Sequence, residues 1–344
     1  MKAAVLKGQG EFNLADVEDT ECPPGGVIVK VKSAGICSAD VRMICQGHKA
    51  LDYPRIPGHE VAGIVAENRA AGSEFEVGDR VQIAPEIICN ECSYCREGIT
   101  NQCEDIGIMG FTHDGGFAEY IMIPPAGVES GILNPIPVGL SFMEATLAEP
   151  LACSINAQEL ARVSKGDRVL VIGAGVIGCL HTMLAKANGA QQVLIADKLT
   201  SRINLAEQTE ANCFIDLSIE SIEEAVTAET ENKGVDVIIL ACEEAALSIP
   251  LFKLLAPRGR ISFFSSLPYH QSNIELDANE LHYKEQMIVG AYGCRVDQNK
   301  KALELMTKEL EVDWLITDEI SLDEIRTGIE RLINYEGLKT VINF

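Results

Sequence analysis

Two rhythms of apolar residues divide the chain. In its first third they alternate with polar residues over short runs: Lys2–Leu6, Val27–Lys32 (VIVKVK), Val61–Ala66, Arg80–Ile83 and Ala118–Ile123. A period of two marks strands with one face buried. Turns such as PPGG (23–26) and FEVGD (75–79) separate the runs. The pattern predicts an antiparallel, barrel-like β domain.

After about residue 157 the apolar residues come in solid blocks. VLVI (169–172), QQVLIAD (191–197), CFID (213–216), VDVIILA (235–241) and GRISFFS (259–265) are the strand candidates. Helical stretches lie between them: Cys179–Asn188 (closed by Gly189), Ser221–Glu231 and Ala245–Leu255. Alternating strands and helices of these lengths build a doubly wound parallel sheet, here over 157–291. The last fifty residues hold an amphipathic helix, Asn299–Lys308, a second helix, Leu322–Asn334, and a final strand, Thr340–Phe344. The fold class is α/β with a separate β-rich domain.

A chain of 344 residues suits two domains, and 47 % apolar with 23 % charged residues is an ordinary globular balance. No apolar run reaches membrane-spanning length, and MKAAVLKGQGEF lacks a signal-peptide core. A cytoplasmic protein with no membrane partner is expected. Against 28 basic side chains stand 51 acidic ones, a formal charge of −23 with no basic cluster, which excludes a nucleic-acid partner. The twelve cysteines, in a chain without a signal peptide, are not expected to form disulfides.

Four cysteines crowd into CNECSYCREGITNQC: Cys89, Cys92, Cys95 and Cys103. Thiolates are soft ligands, and Zn²⁺ takes four in a closed tetrahedron. The intervening residues are too polar to bury a core, so a metal would supply the lobe's folding energy. An iron–sulfur cluster or four free thiols would fit the spacing less well. Cys103 is followed by Glu104 and Asp105, where ferredoxin-like spacing has proline. The reading is structural zinc, for stability.

VLVIGAGVIGCL carries Gly173, Gly175 and Gly178 as G-x-G-x-x-G between a strand and a helix. The glycines permit a tight turn, close approach of a pyrophosphate and helix–strand packing, with the helix N–H groups of Val176 and Ile177 facing the phosphates. Asp197, nineteen residues after Gly178, would accept from the adenosine ribose hydroxyls and repel a 2′-phosphate, favouring NAD over NADP. Lys198 would soften that preference, and Arg202 is placed to cover the adenine or ribose.

Cys37, His59, Glu60 and Glu149 are scattered, and their spacing proves nothing. A lone cysteine is ordinarily a core residue, a lone histidine a satisfied surface or core residue, and a lone glutamate a solvated one. A resemblance adds to this. GICSAD (35–40), GHEVAGIV (58–65), the cysteine lobe, GDRV (78–81), DGGFAEY (114–120), EPLAC (149–153) and VIGAGVIG (171–178) follow one another as in the zinc-dependent medium-chain alcohol dehydrogenase superfamily. The likeness covers nearly the whole chain, and Glu149-Pro150-Leu151 resembles the branch of sorbitol, galactitol-phosphate and threonine dehydrogenases.

The resemblance implies a GroES-like catalytic domain, 1–156 and 292–344, interrupted by a Rossmann domain, 157–291. It implies a catalytic zinc on Cys37 and His59, with Glu60 and Glu149 as further ligands, directly or through water. Asp40 would fix the His59 tautomer. The activity implied is NAD-linked oxidation of a secondary alcohol in a polyol or sugar alcohol, by a homodimer or homotetramer. The alternatives are a threonine or amino-alcohol dehydrogenase and a non-catalytic, zinc-stabilised nucleotide-binding protein. In one respect the chain departs from the family: Ala39 stands where a Ser or Thr hydroxyl commonly relays the alcohol's proton. Ser38, His48, or water with Glu60 or Glu149 would then carry it, the last being favoured. Candidate substrate contacts are His48, Lys49, Tyr292 and Arg295.

Overall fold

The computed structural model describes residues 1–48, 51–243, 249–265, 267 and 272–344. The chain divides into two compact units, residues 1–152 with 294–344, and residues 153–293.

The first unit opens with an antiparallel pair, β1 (Lys2–Leu6) and β2 (Phe12–Asp16). Its hub is β3 (Val27–Gly35), which pairs antiparallel with β4 (Glu60–Asn68). Helix α1 (Ser38–Gln46) follows β3 directly. β5 (Arg80–Ile83) adds to β4, and the short β6 (Glu86–Ile87) pairs with β7 (Gly107–Ile108). β8 (Tyr120–Ile123) lies on the first half of β3, and β9 (Leu133–Pro135) extends β5.

Among the described residues the second unit has six strands, all parallel: β10 (Arg168–Ile172), β11 (Gln192–Asp197), β12 (Cys213–Asp216), β13 (Val235–Leu240), β14 (Leu255–Phe263) and β15 (Met287–Gly290). Their order is β12-β11-β10-β13-β14-β15, the doubly wound pattern. Solid apolar sequence follows from helices on both faces. Helix α2 begins at Val176, not at Cys179, and ends at Ala187. β14 starts four residues earlier than the sequence suggested, because a register shift between Val235 and Val237 lets Leu255 pair with Val235. Of the helix expected over 245–255, residues 245–248 lie outside the described residues, and Leu251–Leu254 forms a single turn.

The chain then returns to the first unit through α3 (Val296–Lys308), β16 (Ile316–Ile320) and β17 (Lys339–Asn343). β17 lies antiparallel beside the end of β3, completing a sheet in the order β16-β17-β3-β4-β5-β9. One pair departs from the antiparallel expectation: β16 and β17 run parallel. A parallel pair needs a long crossover, and the segment between supplies one. It is a 3₁₀ turn (Leu322–Glu324) capped by Ser321, then a helix (Ile325–Ile333), where one continuous helix was expected. Among the described residues no helix is long and apolar enough to cross a membrane.

His181 on α2 is fully buried with its ring edge-on to Phe264 at 5.0 Å. Gln158 Nε2 lies 3.3 Å from its Nδ1, and burial pulls its pKa from 6.5 down to about 3. The unfolded chain therefore binds this proton more tightly. Stability should be intact above pH 6.5 and fall by about 1.4 kcal/mol per pH unit below it, towards pH 3. In His181→Leu this part of the acid sensitivity should vanish, as read from urea unfolding midpoints at pH 5 and pH 7.

Candidate metal and coenzyme sites

Cys37 caps the N-terminus of α1, Glu60 opens β4, and His59 immediately precedes it. Because β3 and β4 are paired with Gly35 opposite Glu60, the loop leaving β3 lies beside the start of β4. One ligand atom from each of Cys37, His59 and Glu60 lies within 4.8 Å of the other two. Asp40, wholly buried, ties the first two together. One of its oxygens accepts from the Cys37 backbone N–H (3.0 Å), and the other faces His59 Nδ1 (3.1 Å). A carboxylate there takes the proton of Nδ1 and leaves the Nε2 lone pair for an ion. Burial alone would lower the His59 pKa; the charges of Asp40 and Cys37, and its hydrogen bonds to both, hold it well above its usual value.

Glu60 and Lys339 form an ion pair, each almost fully buried. They reach one another from β4 and β17, across Gly35 on the strand between. A Cβ at Gly35 would collide with Glu60 Oε2 and come within 2.9 Å of Lys339 Cε. Burial works against the lysine's charge, but Glu60, Cys37 and Glu149 outweigh it and raise its pKa. Glu149 is buried, with an oxygen within 4.8 Å of the Cys294 sulfur. Ser38 is exposed on the first turn of α1, and His48 is exposed with its ring edge-on to Phe111 at 5.4 Å. Phe111 also meets His59, at 5.6 Å. Lys49 lies outside the described residues. Tyr292 is 64 % exposed, and Arg295 holds Asp297 at 3.1 Å.

The four lobe cysteines bring their sulfurs within 4.8 Å of one another, with Cys89 and Cys95 at 3.9 Å. Zn–S bonds of about 2.3 Å in a tetrahedron put sulfurs about 3.8 Å apart, so the set fits that ion. Backbone N–H groups point inward: Cys89 N to Cys103 Sγ (3.3 Å), Cys92 N to Cys89 Sγ (3.3 Å) and Cys95 N to Cys92 Sγ (3.4 Å). Backbone hydrogen bonds lower the Cys92 thiol to about 6, while burial and the adjacent sulfurs push Cys95 up to about 12. Four thiolates this close need a cation to coexist.

In the second unit Gly173 turns with φ +107°, and a Cβ at Gly178 would strike the Gly173 carbonyl. Gly175 caps α2, whose first N–H groups, those of Val176 and Ile177 among them, have no carbonyl a turn earlier. Asp197 closes β11 and accepts from Ala174 N (2.7 Å) and Leu199 N (2.8 Å), which fixes its carboxylate beside the glycine turn. The Arg202 guanidinium lies 3.5 Å from where a Gly175 Cβ would stand. This cradle fits a dinucleotide pyrophosphate.

Sequence reasoning missed Lys339, Phe111, Glu86 and Cys294. A lysine opening the last apolar strand, and a glutamate inside the apolar run IAPEII, were the available signals.

Comparison with known proteins bears on the class. The alcohol dehydrogenase GroES-like domain matches residues 23–130, and the zinc-binding dehydrogenase domain matches 176–308. A sorbitol dehydrogenase of Halalkalibacterium halodurans is 30% identical over 351 residues, covering 99% of both chains. An L-threonine 3-dehydrogenase of Rhizobium etli is 28% identical, covering 100% of this chain and 99% of its own. The NADP-bound structure of a Sinorhizobium meliloti protein superposes with a TM-score of 0.91 at 28% identity, over 100% of this chain and 99% of that one. The chain belongs to the zinc-dependent medium-chain alcohol dehydrogenase superfamily, in its polyol dehydrogenase branch.

Proposed function

We propose that the protein moves hydride between a secondary alcohol of the polyol or sugar-alcohol class and NAD. The observation carrying this reading is the Cys37–His59–Glu60 cluster with Asp40 locking two of its members. Cys37 and His59, with Glu60 or Glu149, would hold one zinc, and the lobe cysteines a second. A zinc in the first place supplies a Lewis acid that lowers the pKa of a hydroxyl. Asp40 keeps His59 in the metal-binding tautomer, and Lys339 balances the charge of Glu60. Ala39 offers no hydroxyl, and Ser38 sits exposed on α1. We assign the proton's exit to water and Glu60 or Glu149, in preference to Ser38 or His48.

Coenzyme phosphates would meet the α2 N-terminus, with Asp197 on the ribose hydroxyls. Its buried negative charge supports NAD; Arg202 and Lys198 are the cations that would admit NADP. The edge strand β15 leaves Met287 41% and Ile288 40% exposed, and we assign subunit pairing to it. A second reading, an amino alcohol such as threonine, keeps the same residues and draws on the threonine dehydrogenase relative.

A panel of polyols, sugar alcohols and amino alcohols, run with NAD and with NADP and followed by reduced-coenzyme absorbance, tests this. NAD-linked turnover of polyols, abolished in Cys37→Ala, is expected. Turnover of none of them, or of amino alcohols alone, would reject the polyol reading.

A further inference from the structure

The first unit buries a line of polar side chains whose hydrogen bonds all run one way. Asn134 Nδ2, on β9, donates to Gln82 Oε1 on β5 (3.1 Å). Gln82 Nε2 donates to Asn299 Oδ1 on α3 (3.1 Å). Asn299 Nδ2 donates to the Cys294 sulfur (3.4 Å), and the Cys294 thiol donates to Glu86 Oε1 on β6 (3.2 Å). None of the five residues is more than 6 % exposed. Gln82 and Asn299 each receive on the amide oxygen and give from the nitrogen, so the chain has one sense and its members polarise one another.

The chain ends at Glu86, whose other oxygen, Oε2, is buried with no hydrogen-bond partner among the described residues. Leaving a buried polar atom unsatisfied costs about 1–3 kcal/mol. Four successive hydrogen bonds therefore orient a carboxyl whose outer oxygen still lacks a partner. Burial and the Glu149 charge push its pKa to about 8, with His59 pulling the other way. Oε2 is the one polar atom of this line left to bond an incoming group. Of the charges it feels, His59 belongs to the Cys37–His59–Glu60 cluster, while Glu149 lies outside that cluster and approaches the same Cys294 sulfur.

We propose that Glu86 Oε2 docks a second hydroxyl of the substrate, one that is not oxidised, and so selects polyhydroxy compounds over simple alcohols. This inference rests on the polyol reading above. A site built to bond a hydroxyl discriminates strongly against the analogue lacking it, because its own polar group is then left unpaired.

The test compares propylene glycol with isopropanol, which differ by the second hydroxyl, in the wild-type protein, Glu86→Leu and Glu86→Gln. Leucine keeps the volume without a polar atom; glutamine keeps the shape and both hydrogen-bonding modes. Glu86→Leu should lose roughly 10- to 100-fold in kcat/KM for the diol, chiefly through KM, and less than about twofold for isopropanol. Glu86→Gln should recover most of the loss. Propylene glycol should also raise the Tm of the wild type and of Glu86→Gln, and not that of Glu86→Leu. Parallel losses on both alcohols would show that Glu86 only supports the fold and would overturn the proposal. An unchanged preference in Glu86→Leu would do the same while leaving the dehydrogenase reading intact. If the wild type oxidises neither alcohol nor any other polyol, both fall.

Discussion

Lys339→Met should destabilise the metal-free protein by about 3–5 kcal/mol, the usual result of removing one member of a buried ion pair. What remains is the Glu60 carboxylate, still buried beside Cys37 and without its cation. A divalent ion at the candidate site would restore the balance, so the zinc-loaded variant should lose much less. The expected signature is a variant whose stability depends on metal far more than the wild type's does. Urea unfolding with and without a chelator reads it directly. Gly35→Ala should show the same dependence, since its Cβ would collide with Glu60 Oε2 and crowd Lys339 Cε, prying the pair apart. Equal chelator-induced losses in wild type and both variants would refute the charge-balance account.

The second large effect concerns the lobe. Cys92→Ser replaces the thiol most ready to ionise, pulled down to about 6, with a hydroxyl that does not. Elemental analysis should fall from two zinc per chain to one. The lobe between Cys89 and Cys103 has few buried apolar residues of its own, so its order should fail with the ion. Structural zinc contributes folding energy outright, and each kcal/mol lost shifts Tm by roughly 2–4 °C in domains of this size. Limited proteolysis should then cut within 89–103 first. Retention of two zinc ions, with no new cleavage there, would rule out the assignment.

How legible these features were depends on where the physics is local. The strands VLVI, VLIAD and VDVIIL are covered on both faces and so spell themselves as unbroken apolar runs. β16, ITDEI, lies at a sheet edge with three polar residues in five, and β15 leaves its apolar side chains exposed; neither announced itself. The lobe was legible because four soft ligands within fifteen residues have few other uses. Cys37, His59 and Glu60 were not legible from spacing, since β3–β4 pairing brings them together, and only the resemblance pointed to them. Lys339 was hidden for a different reason. A lysine at the start of a strand is ordinarily solvated, and nothing local foretells that a glycine on the neighbouring strand opens a passage to a glutamate on the third. Glu86 was concealed likewise, its partner Cys294 lying 208 residues away.

The order of the chain imposes a timetable on the site. Residues 153–293 are contiguous and can fold as soon as they are synthesised, whereas the sheet of the first unit cannot close until β17 has emerged. β3, which carries Gly35 and leads into Cys37, must wait through the synthesis of about 300 residues for the strand that brings Lys339. During translation the coenzyme-type unit is therefore complete while the candidate metal cluster still has an open sheet edge, exposed to wrong pairing. Damage to β17 would therefore fall first on the metal cluster, although most of its ligands were made long before.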